Sequence, residues 1–185
     1  MEFLSARVSV ERGASGTSIV FSPRLPRWKE TLLVVWFTAW TCCGVYVAVE
    51  LAHMPSSPQR AYVLAFMAFW LYFFLATGRT MLWRVKGFEL MRVKDGAMTL
   101  KQSILGFGKA REHFMENVTR LAAIEMDERS WKWQLGQSFW VMGVERIGFE
   151  HFGRRVAFGR GMTAEEARAV TAELKRALAK SRKAG

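Results

Sequence analysis

Three histidines, His53, His113 and His151, are the chain's only imidazoles, and they lie too far apart in sequence to show the paired spacing that builds a zinc site. Glu112, His113 and Glu116 form the single close group of imidazole and carboxylates. At strand and turn positions they are expected to line a solvated face rather than work as an acid–base pair. Gly106-Phe107-Gly108 lacks the later glycine and the following helix of a dinucleotide loop. Cys42 and Cys43 are adjacent, so they can neither close a long disulfide loop nor offer metal-ligand spacing, and they are expected to pack as small hydrophobes. No histidine falls inside the long apolar runs, which leaves a bis-histidine haem unsupported. The expectation is a protein without catalytic residues, metal or cofactor.

A different kind of site is suggested by residues 128–142. Trp131, Trp133, Phe139 and Trp140 are interleaved there with Arg129 and Lys132. Trp and Arg dominate interface hot spots, and indoles also settle at membrane surfaces, so these four aromatics are the expected partner-binding residues. The alternative is that one or two of the rings plug a core.

The elements that must position such residues begin with two uncharged apolar runs, Thr31 to Val49 and Ala61 to Gly78. As helices each spans roughly 27 to 28 Å, about the thickness of a bilayer's hydrocarbon core. The reading is a transmembrane hairpin: a helix over 31–52, a short non-cytoplasmic loop over 53–60 and a second helix over 61–83. Neither run has a central charge that would suit transport. Gly44, Ala48 and Ala52, with Ala61 and Ala65, offer small-residue faces for close helix approach, and the aromatic second run offers a docking face. Arg60 is the only basic residue of the loop, while Arg24, Arg27 and Lys29 precede the hairpin and Arg84 and Lys86 follow it. The positive-inside rule therefore puts both termini in the cytoplasm. Trp28 and Trp83 are expected at the headgroup level on that side.

A net charge of +11 suits nucleic acid and an anionic membrane surface about equally, and the hairpin decides for the membrane. Arg24, Arg27, Lys29, Arg84 and Lys86 are thus the candidate lipid-contacting residues, and nucleic acid is not an expected partner. The first residues, Met-Glu-Phe-Leu-Ser, show no signal-peptide pattern.

Outside the hairpin the pattern is that of short strands. Residues 1–30 hold a β-hairpin around Gly13-Ala14-Ser15-Gly16 and a juxtamembrane segment, and this hairpin is expected to join a sheet supplied by the rest of the chain. Residues 84–185 read as one cytoplasmic domain. Its strands fall at Val85 to Val93, Ala97 to Ile104, Lys109 to Phe114, Thr119 to Met126, Ser138 to Val144, Arg146 to His151 and Arg154 to Phe158, about seven in all. Thr163-Ala164-Glu165-Glu166 is a capping box that opens a helix over 163–180, with Val170, Leu174, Ala177 and Leu178 on one stripe.

Seven short strands followed by an amphipathic helix resemble the pleckstrin-homology (PH) fold. With the hairpin in front, the chain is similar to bacterial membrane proteins that carry a PH-like domain, mostly uncharacterised. Lys94-Asp95-Gly96-Ala97-Met98-Thr99-Leu100, Ile104-Leu105-Gly106-Phe107-Gly108-Lys109, Phe114 to Leu121 and Phe158 to Ala167 carry the likeness. What it implies is an antiparallel barrel or sandwich capped by a C-terminal helix, in a multi-pass protein of the bacterial cytoplasmic membrane. The chain departs from phosphoinositide-binding members, whose first hairpin loop is longer and basic, because that turn here is only Lys94-Asp95-Gly96. Arg92, Lys94 and Lys101 are the residues left there to meet a phosphate. Function is expected to be that of a non-enzymatic scaffold or accessory subunit docking another membrane protein or complex. An anionic-lipid-responsive surface module is the alternative.

Overall fold

The computed structural model describes residues 2–13, 16–125, 138 and 140–184, with side chains through residue 181. Two long helices dominate its outline, α1 over Arg27–His53 and α2 over Pro58–Lys86. Both are long and apolar enough to cross a membrane. Each runs past the uncharged stretch into its polar flanks. Pro58 starts α2 at the first helical position, where its missing N–H costs no hydrogen bond.

The helices pack through aromatic rings rather than through the expected small-residue faces. Of those residues only Gly44 is buried; Ala48, Ala52, Ala61 and Ala65 are exposed. Trp70 lies over Gly44, where any Cβ would fall inside the indole, and its Nε1–H donates to the Trp40 carbonyl at 3.1 Å. Phe74 stacks on both Trp70 and Phe37, with ring centroids 5.0 Å apart in each pair. The rest of the aromatic band, Phe66, Phe69, Tyr72 and Phe73, faces outward. Cys42 and Cys43 are free thiols on the exposed side of α1, not packing residues.

Strands β1 (Glu2–Ser5), β2 (Val8–Gly13), β3 (Gly16–Phe21), β4 (Gly87–Lys94), β5 (Ala97–Ile104) and β6 (Ala110–Phe114) form one antiparallel sheet in chain order. The N-terminal hairpin therefore does join the sheet, and it brings an extra strand, β1, that its sequence did not announce. Because β3 and β4 are hydrogen-bonded neighbours, with Thr17 opposite Val93 and Phe21 opposite Glu89, the two helices are an insertion between adjacent strands. β7 (Val118–Ala123), β8 (Ile147–His151) and β9 (Arg154–Phe158) make a second antiparallel sheet. The C-terminal helix α3 (Ala164–Ala184) covers the space between, burying Ala167, Val170, Leu174, Ala177 and Leu178 against Ile19, Met91 and Phe149 of a common core. Four of those five positions form the stripe read from the sequence.

The strand expected over Ser138 to Val144 is absent among the described residues, so six strands follow the helices rather than seven. Gly143, at φ +91°, presses its backbone against Gly161, and the Gly161 N–H donates to the Val144 carbonyl at 3.0 Å. These contacts bind 140–146 as a loop across the end of β9. Val85 and Lys86, expected in the first strand of the segment, belong to α2.

The sheets have two distinguishable ends. At the helix end lie the β1–β2 turn, residues 22–26, the start of β4, the β5–β6 turn and residues 140–146 and 159–165. At the opposite end lie the β2–β3, β4–β5 and β8–β9 turns.

Candidate functional site

Residues from five segments converge at the helix end. Chain direction explains why: β3 hands over to α1 and α2 hands over to β4 at this end, while antiparallel pairing returns the β1–β2 turn and the start of α3 to the same place. The result is a cavity of about 1010 Å³ lined by Arg7, Arg24, Lys29, Arg84 and Arg146 with only Glu165 and Glu166 as acids.

Glu166 holds one wall. The capping box forms as read, with the Thr163 N–H donating to Glu166 Oε2 at 2.9 Å and the Glu166 N–H donating to Thr163 Oγ1 at 3.2 Å. The same carboxylate accepts from Arg7 Nε at 3.1 Å and from the Ser5 hydroxyl at 2.9 Å, tying the first hairpin to α3. Burial pushes the Glu166 carboxyl up, but the Thr163 amide and the Arg7 guanidinium outweigh it and hold the group below its usual range.

Arg84 is the unusual member. It is only 5% exposed, at the C-terminal end of α2. Its Nη2 donates to the Val141 carbonyl at 2.9 Å and its Nη1 to the Pro23 carbonyl at 3.5 Å. Its Nε has no hydrogen-bond partner among the described residues, and none of the ion pairs among them involves Arg84. A buried guanidinium held by carbonyl dipoles alone retains most of its charge for an outside anion. Gly161, at φ +81°, admits it: a Cβ there would sit 3.0 Å from Nη1.

Of the five cations singled out in the sequence, the fold brings Arg24, Lys29 and Arg84 into this cavity. Arg27 and Lys86 stay exposed outside it. Arg7 and Arg146 join it without any local signal, since each sits in a strand connection whose position depends on the tertiary fold; the capping Glu166 was the only pointer to a cation nearby. Trp28 is exposed as expected, but Trp83 is not an interfacial indole: it is completely buried beneath Gly87. Trp140 packs edge-on against Trp36 of α1 at 4.6 Å, whereas Trp131, Trp133 and Phe139 lie outside the described residues.

The histidine expectation also changes. Strand alternation turns Glu112 outward and His113 inward, so His113 is 8% exposed and lies edge-on to His151 at 4.7 Å and to Phe149 at 5.1 Å. Burial, and then the neighbouring His151 and Arg111, lower its pKa. Among the described residues no three potential ligands come together that could hold a metal. His113 borders a second cavity, of about 370 Å³, between β4–β6 and β9. Glu89 closes that cavity, accepting from the Gly159 N–H at 2.7 Å and the Arg160 N–H at 3.4 Å; burial raises its pKa against those two bonds. Arg92, Lys94 and Lys101 do not gather into a phosphate site: Lys94 pairs with Asp95 at 3.3 Å at the end away from the helices.

No family model, curated protein or solved structure matches the chain.

Proposed function

We propose that the protein is a non-enzymatic, membrane-anchored module of the bacterial cytoplasmic membrane, whose β-domain is held at the cytoplasmic surface by anionic lipid headgroups. In this reading α1 and α2 span the bilayer, both termini are cytoplasmic, and the helix end of the domain faces the headgroups. The observation that carries it is the cavity at that end, where five cationic side chains meet two carboxylates and the buried Arg84 has no ion pair among the described residues. Each basic residue near an anionic surface adds about 1 kcal/mol of attraction. A PH-like domain is supported by the strand order, since β3–β6, β7–β9 and α3 amount to four strands, three strands and a closing helix. The hairpin is then an insertion between its first two strands.

A second, compatible role is that of a scaffold or accessory subunit. It is favoured by the contact of Trp140 with Trp36, which puts one end of the Trp-rich stretch beside α1, where an integral membrane partner would be met.

Native mass spectrometry of the full chain in mild detergent tests both. Offered equal phosphatidylglycerol and phosphatidylcholine, the protein should retain the anionic lipid, and Arg24→Gln with Lys29→Gln should reduce that retention several-fold. Arg84→Gln should reduce it further. Equal retention of the two lipids would overturn the lipid reading, and a stoichiometric protein partner in its place would favour the scaffold.

A further inference from the structure

We propose that the β5–β6 turn is a third membrane contact, in which Leu105 and Phe107 enter the bilayer interface beside the end of α2. The proposal rests on α1 and α2 spanning the membrane, and it concerns a surface distinct from the Arg84 cavity.

Register places the turn. β4 begins at Gly87, the residue after the last of α2, and Gly87 pairs with Ile104. Leu105 is therefore the next residue beyond a pair that sits directly at the helix end, one strand spacing of about 4.8 Å to the side. The turn is rigid. Ile104 and Phe107 exchange both backbone hydrogen bonds, at 2.9 and 3.0 Å, and Leu105 and Gly106 take φ values of +55° and +86°. This is the two-residue hairpin geometry that Asn-Gly or Asp-Gly normally supplies. A leucine is disfavoured in the left-handed region and gains nothing there from water, so strain and exposure coincide on one residue. Phe107 is 84% exposed and Leu105 53%.

The surroundings select a lipid surface as the occupant. Lys109 and Arg111 follow the turn as exposed residues, Lys86 ends α2 alongside it, and none of the three has an ion pair among the described residues. Apolar tips with a basic collar match an anionic interface, where the rings enter the acyl boundary and the cations stay among phosphates. The turn lies beside the end of α2, where Leu82 and Lys86 are exposed. Phe152, in the β8–β9 turn, supplies the internal contrast: it is also exposed and at positive φ, +51°, but it lies at the opposite end of the sheets.

The test is site-directed spin labelling of the full chain carrying Cys42→Ala and Cys43→Ala, reconstituted in vesicles of equal parts phosphatidylcholine and phosphatidylglycerol. Labels are introduced singly through Phe107→Cys, Leu105→Cys, Phe152→Cys and Tyr72→Cys. At positions 105, 107 and 72 collisions with oxygen should exceed those with a water-soluble nickel chelate, and at 152 the order should reverse. If 105 and 107 behave like 152 while 72 is in lipid, the turn is not a membrane contact. Should 72 also face water, the membrane reading of α2 fails and this proposal with it.

Discussion

Both ends of the β-domain carry ion pairs, Arg160 with Glu145 at 2.7 Å at the helix end among them, but they differ in the cations left over. Away from the helices, charges close on one another, Lys94 with Asp95, Arg120 with Glu150 at 3.0 Å and Arg12 with Glu2 at the surface, and Arg12 also with the buried Glu173. Exposed pairs of this kind contribute about 0 to 1 kcal/mol each and need no outside partner. At the helix end Arg7 is neutralised by Glu166, while Arg84 is buried against carbonyl oxygens and Arg24 and Lys29 join it around an open cavity. Exposed apolar residues occur at both ends, Leu105 and Phe107 beside the helix and Phe114 and Phe152 opposite, so the division is one of charge rather than of hydrophobicity. What the difference teaches is that the helix end gathers Arg24, Lys29 and Arg84 around one cavity with no ion pair for Arg84 among the described residues, the feature on which the proposed anionic partner rests.

The contrast can be broken by removing one acid from each end. Glu166→Ala removes the carboxylate half of the capping box, while the Thr163 hydroxyl still caps the residue 166 N–H, and it leaves the half-buried Arg7 without its carboxylate, so a loss of about 2–4 kcal/mol is expected in chemical denaturation. Glu150→Ala, which removes an exposed pair, should cost less than about 1 kcal/mol. Equal effects would mean that the ends are not built differently.

A smaller effect sharpens the comparison through pH. Because the folded-state pKa of Glu166 is lowered, its stabilisation is complete above the ordinary carboxylate pKa of about 4.3 and disappears as pH falls through the lowered value. Glu166→Gln should therefore flatten the acid limb of the stability curve. Glu89 has the opposite sign, since its folded pKa is raised by burial, and the charged form costs stability as pH climbs from the ordinary value through the raised one. Relative to the parent, Glu89→Gln should gain stability over that rise. Unfolding midpoints followed across the carboxylate range would show both trends or refute them.

Much of this fold could be read from residue patterns, for reasons that are local. Two uncharged runs of bilayer length, glycine-bearing turns and the Thr163–Glu166 cap each specify structure within a few residues. The misreadings arise where distant segments decide. Ser138 to Val144 reads as a strand, but the glycine contact between Gly143 and Gly161 holds residues 140–146 as a loop. Trp83 has the position of an interfacial indole, yet β4 folds back over it through Gly87 and buries it. His113 and His151 meet only because the two sheets face each other. The candidate site was half legible: Arg24, Lys29 and Arg84 stood out by flanking the apolar runs, whereas Arg7 and Arg146 are brought there by strand pairing.

Hydrogen–deuterium exchange of the full chain in phospholipid nanodiscs addresses the central claim most directly. On changing phosphatidylcholine discs to phosphatidylglycerol discs, backbone protection should rise in peptides covering 5–7, 22–26, 84–87, 105–109 and 140–146, and stay constant around 94–97 and 150–154. Protection that ignores headgroup charge, or that rises equally at both ends, would contradict the account.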